Sequence, residues 1–139
     1  MNAGRRRCLG APLALALMLA GCSQEHEPDD AAIRQAIEQL HQNWVAERLK
    51  DRRAQPPDFI RGLPNINLAF EASLELQITS VRKVRCDPAP DGQLGYVCVA
   101  VVGASVAGRA PVLENVQGRF VRGGTRWLVH NLVVLNPGG

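Results

Sequence analysis

Aromatic residues make up only 4% of this 139-residue chain, too few for the stacking platforms that hold single-stranded nucleic acid. Nucleic acid is therefore not among the expected partners. No apolar run reaches the roughly 20 residues a membrane-spanning helix needs. His-x-x-x-His, Gly-x-Ser-x-Gly and a phosphate-cradling glycine loop ahead of a helix are all missing, and with them the usual signatures of zinc hydrolysis, acyl transfer and nucleotide binding. Histidine occurs three times, and none neighbours the Cys86-x11-Cys98 pair, whose spacing is poor for zinc. Internal repeats and low-complexity tracts are lacking too. These absences lean the reading away from an enzyme and imply no cofactor and no metal.

What the first residues do have is an export pattern. Arg5, Arg6 and Arg7 precede an apolar run from Leu9 to Ala20, too short to span a bilayer and built as a secretory signal is built. The run ends in Leu19-Ala20-Gly21-Cys22, which resembles the lipobox of bacterial lipoproteins. That resemblance implies that residues 1–21 are removed and that Cys22 is acylated, attaching the protein to the membrane; several acyl chains on one residue give a stable anchor. Ser23 follows, rather than the aspartate that holds many such lipoproteins at the inner membrane, which by resemblance favours the outer membrane facing the periplasm.

Removing the signal alters the charge argument. The chain has 16 basic and 13 acidic residues; subtracting Arg5, Arg6 and Arg7 leaves 13 of each, because no acid precedes Glu25. The apparent basicity belongs to the export segment and argues for no anionic partner. The remaining 118 residues, 139 less 21, suit one domain with a modest core. Two cysteines stay unassigned, Cys86 and Cys98. In an oxidising envelope such a pair is expected to form a disulfide, with two inert thiols as the alternative and poor spacing for a metal.

Residues 22–28 read as a polar tether carrying His26. Residues 29–53 read as one long amphipathic helix: Asp29 or Asp30 caps it, and Ile33, Ile37, Leu40 and Trp44 form an apolar stripe. Cations at Arg48, Lys50, Arg52 and Arg53 suit its C-terminal end, and Pro56-Pro57 stops it. Pro56, Pro57, Gly62 and Pro64 forbid a regular element across 55–73, although Phe59, Ile60 and Leu63 must lie on something apolar. From Leu74 the period becomes two, slipping near Ser80-Val81 as a β-bulge does. After the turn Asp87-Pro88-Ala89-Pro90-Asp91-Gly92, strands at 96–106, 112–122 and 125–135 follow. Gly123-Gly124 joins the last two. Residues 136–139 are a frayed end, and 29–135 form a single domain.

Several strands are apolar on both faces. Val97, Val99 and Val101 oppose Cys98, Ala100 and Val102, and Leu128, Leu132 and Val134 oppose Trp127, Val129, Val133 and Leu135. One helix covers one face, so the other is an expected contact surface. His41, beside the helix stripe, and His130, on the face of Leu128 and Leu132, read first as buried, hydrogen-bonded histidines. Together with Arg126 and Trp127 they are also the candidates for a pocket or interface. Arg82, Lys83 and Arg85, and likewise Arg119, Arg122 and Arg126, read mostly as solvated strand faces.

The order of lipobox, helix, irregular segment and a cysteine-stapled meander containing Gly-Tyr-Val-Cys at 95–98 and Gly-Arg-Phe-Val-Arg-Gly-Gly-Thr-Arg-Trp at 118–127 resembles small envelope lipoproteins of proteobacteria. Helix plus four-stranded sheet resembles the cystatin-like architecture, shared with the nuclear-transport-factor-two-like group. The expected fold is therefore α+β, one long helix on a four-stranded antiparallel sheet. The expected role is a non-enzymatic protein-binding or assembly module using an apolar sheet face, as a homodimer or with an envelope protein. The alternative is a small-ligand pocket, enzymatic or not, between helix and sheet.

Overall fold

The computed structural model describes residues 26–63, 75–106 and 109–135. Residues 1–25, read as the signal segment, Cys22 and most of the tether, together with residues 64–74, 107–108 and 136–139, lie outside the described residues. The described part is an α+β unit: helix α1 (Asp30–Lys50), a short helix α2 (Asp58–Gly62), and strands β1 (Gln77–Pro88), β2 (Tyr96–Ser105), β3 (Val112–Gly123) and β4 (Arg126–Val134). The strands form one antiparallel sheet in the order β1-β2-β3-β4.

Helix α1 starts where its cap places it. The Asp29 carboxylate accepts from the Ala32 N–H at 2.8 Å, satisfying a first-turn donor that lacks an intrahelical partner. Asp29→Ala should cost about 1 kcal/mol, read as a lower midpoint in a thermal melt with the folded spectrum unchanged. The stripe Ile33, Ala36, Ile37 and Trp44 is buried, with Leu40 and Val45 packed beside it. The helix stops at Lys50, short of Arg53, and the Arg48 guanidinium donates to the Ala54 carbonyl beyond it (3.0 Å).

The proline-rich stretch is more regular than its breakers imply. Pro57 serves as the N-cap of α2, its carbonyl accepting from the N–H groups of Ile60 (3.0 Å) and Arg61 (3.2 Å). Prolines sit before the helix, where a missing N–H costs nothing. Phe59, Ile60 and Leu63 are buried as their apolarity demands. Gly62 lets α2 lie on β4: a Cβ there would stand 3.0 Å from the Val134 side chain.

Helix α1 packs closest along β1 and β4, the two edge strands, so the sheet curls around it. Its apolar stripe meets Ile78, Cys98, Ala100, Val102, Ala104, Val116, Phe120, Trp127, Val129, Leu132 and Val134 in one buried cluster. The indole N–H of Trp44 is buried without a hydrogen-bond partner, a cost of about 1–3 kcal/mol set against the large area of its ring.

Bulges set which residues enter this core. The register of β1 on β2 shifts between Ile78 and Ser80, at the expected slip, and again between Lys83 and Arg85. The second shift throws Val84 outward, leaving it 51% exposed where the alternation placed it in line with Cys86. On β4 a shift lies opposite Gln117–Arg119, and Asn131 has a φ of 53°. The strand therefore changes phase. Trp127, Val129, Leu132 and Val134 all face the helix, and Leu132 does not share the face of Leu128 and His130. Gly118 makes room for this, since a Cβ there would come within 2.8 Å of Val129 Cγ2 and 3.1 Å of Leu132 Cδ1.

Two local ties complete the frame. Cys86 and Cys98 are direct partners on β1 and β2 and are disulfide-bonded. At the other side of β1, Pro28 is fully buried and Lys83 Nζ donates to Glu27 at 2.7 Å and to the Pro28 carbonyl at 3.2 Å. The stretch read as a tether through residue 28 is thus docked on the domain by Glu27. The open edge of β1 is also occupied by α1: the Lys83 N–H donates to Asp30 (2.7 Å) and Arg34 donates to the Ile78 carbonyl (2.8 Å). Both contacts blunt a strand edge that would otherwise invite pairing.

Candidate functional site

The sheet face turned away from α1 is built by alternation. Opposite the buried Cys98, Ala100 and Val102, residues Val97, Val99 and Val101 of β2 form a half-buried central ridge. Register places Arg82 beside Val101, Arg85 beside Val99 and Asp87 beside Val97 on β1. On the other side Asn115, Gln117 and Arg119 of β3 flank the same three valines. Farther out, Arg119 pairs with His130 and Val121 with Leu128, and Arg126 follows at the hairpin end. Leu113 and Leu128, on the neighbouring strands β3 and β4 towards opposite ends of the face, are 67% and 43% exposed.

Alternation also splits the two basic triplets. Lys83 points to the helix side and is held by Glu27. Arg122 lies over the Trp127 ring, 5.5 Å from its centroid, a cation–π contact on the helix side. Arg82, Arg85, Arg119 and Arg126 remain on the outer face, where Asp87 is the one acid among the described residues. The Arg85–Asp87 pair is long, 3.9 Å, with both side chains about 70% exposed, so it contributes little. Arg119 donates to the Leu94 carbonyl (3.0 Å). Arg82 and Arg126 take part in none of the ion pairs found among the described residues. The face is a recessed apolar ridge with cations on both sides.

The helix side holds a different feature, a surface groove of about 300 Å³ between α1 and the start of β1, lined by Arg34, Glu38, His41, Gln42, Leu76, Gln77 and Ile78. Its charges already serve the fold. Arg34 Nε donates to Glu38 at 2.8 Å and Arg34 Nη2 to the Ile78 carbonyl, while the His41 ring lies 6.0 Å from that of Trp44. Among the described residues no three metal-ligating side chains stand together.

The residues singled out from sequence are thus not gathered at one place. His41 is half-buried in the groove. Trp127 is a core residue, its ring 6.1 Å from Tyr96. Arg126 and His130 are exposed on the outer face, so His130 is not a buried histidine, and a pocket between helix and sheet does not collect them. Leu113 was hidden in sequence between Val112 and Glu114; its only signal was parity with Asn115 and Gln117, opposite Val112 and Val116. No family model, curated protein or solved structure matches the chain.

Proposed function

We propose that this is a non-enzymatic binding or assembly module of the bacterial cell envelope, lipid-anchored at Cys22, cystatin-like in architecture, and working through the outer face of its sheet. The export pattern and lipobox support the location, with the outer membrane facing the periplasm as the site. One observation carries the binding role: α1 and α2 both pack on one side of the sheet, while the other side presents the Val97–Val99–Val101 ridge with Leu113 and Leu128. Exposed apolar residues gathered on one face mark a contact surface. The groove beside His41 supports a ligand site less well, because Arg34 and Glu38 are spent on each other and on β1.

The test is the size of the particle the full chain forms when extracted from envelopes in mild detergent. The wild-type chain should migrate as a complex larger than one lipidated protomer. Leu113→Glu with Leu128→Glu should reduce it to the single protomer without lowering its melting temperature, since both side chains are already exposed. A wild-type chain that migrates as a single protomer sinks the proposal.

A further inference from the structure

We infer that the occupant of the outer face is an acidic protein segment, and not a second copy of this chain; this deepens the binding role proposed above and rests on it. The argument is charge and shape. Among the described residues, Arg82, Arg85, Arg119 and Arg126 stand on the face against Asp87 alone, and two of the four are in no ion pair. Stacking two such faces would bring both sets of four guanidinium groups together with only two carboxylates between them. Like charges set against each other across an interface are strongly unfavourable. A carboxylate-bearing partner meets the opposite situation, because arginine forks donate to carboxylates in bidentate geometry.

Shape narrows the form of the partner. The apolar part of the face is one row of three valines on β2, with polar and cationic neighbours on both flanks, so a strand or short helix fits it better than a broad globular surface. The valine ridge, with arginines at Arg82 and Arg85 on one side and Arg119 on the other, suits a segment with apolar residues along its centre and acids along its edges.

The experiment places the photo-crosslinking amino acid p-benzoylphenylalanine at Leu113 and, separately, at Leu128 in the full chain, irradiates intact cells, and identifies each adduct by mass spectrometry. Both positions should capture one protein segment in which Asp and Glu exceed Lys and Arg. Adding Arg85→Glu and Arg119→Glu should cut the yield at least tenfold at unchanged abundance. Capture of a second copy, or of a neutral or basic segment, overturns the acidic occupant and leaves the binding role standing. Lipid adducts alone, or no adduct at either position, overturn both.

Discussion

Phe120→Ala should destabilise the domain by about 3–5 kcal/mol and lower its melting temperature by on the order of 15 °C. Phe120 is 1% exposed and one of the two largest fully buried side chains among the described residues. It sits on β3 between two strands, paired with Tyr96 on one side and Val129 on the other, so the backbone around it is pinned and cannot collapse into the space left behind. The cost of a large-to-small change rises with the cavity that persists. Its own backbone is held as well. Gly95, at a φ of 90°, lies so close to the Phe120 carbonyl that any Cβ would clash with it. Val121→Ala, one residue on but facing outward, should stay below about 1 kcal/mol. Urea unfolding of both variants reads the difference as a shifted midpoint at equal slope. A Phe120→Ala midpoint within error of the Val121→Ala one would mean that β3 faces the other way. The comparison also matters for function: loss of binding at Phe120 would report lost fold, whereas loss at Leu113 or Leu128 would report the face.

How much of this arrangement was legible depended on whether the signal was local. Helix α1 announced itself through Asp29 and a stripe spaced three and four apart, and the hairpin β1–β2 through its Pro/Asp/Gly turn and matched cysteines. The phase of β4 was not legible. Strict alternation put Leu128 with Leu132, but the strand turns over at Asn131 because Gly118, a residue on another strand, leaves space for Val129 and Leu132 to approach. Val84 failed for the same reason, displaced by a register shift set in the pairing with β2. Helix α2 was masked by its prolines, which bound it instead of breaking it.

The candidate site was half legible. The surplus apolar surface on β2 was plain from Val97, Val99 and Val101. The sorting of two basic triplets into a cationic outer face and two fold-supporting cations required knowing that Lys83 reaches Glu27 and Arg122 covers Trp127. The first partner cannot be read from spacing, since Glu27 lies 56 residues before Lys83; the second depends on the turn falling at Gly124-Thr125, one residue later than Gly123-Gly124. The net neutrality of residues 22–139 concealed the same fact: the balance is global, while the charge on the outer face is one-sided.

Reducing the Cys86–Cys98 bond, or replacing both cysteines with serine, should remove about 3 kcal/mol of stability and lower the melting temperature by on the order of 12 °C. The bridge spans a sequence separation of 12, and in the chain-entropy account a closed loop of that size limits the unfolded ensemble by this amount. Here the cross-link also ties the strands that carry the face. Arg85 and Asp87 flank Cys86, Val97 and Val99 flank Cys98, and these four residues form two adjacent rows of the outer surface. Two further outcomes separate the roles. If the bond acts only on the unfolded chain, the serine variant should crosslink through Leu113 at wild-type yield whenever it is folded. If it also holds the rows in place, the yield should fall below the melting transition, while helix content measured by circular dichroism stays constant. An unchanged melting temperature on reduction would show that the β1–β2 pairing and its turn suffice alone, leaving the two cysteines without a stabilising role.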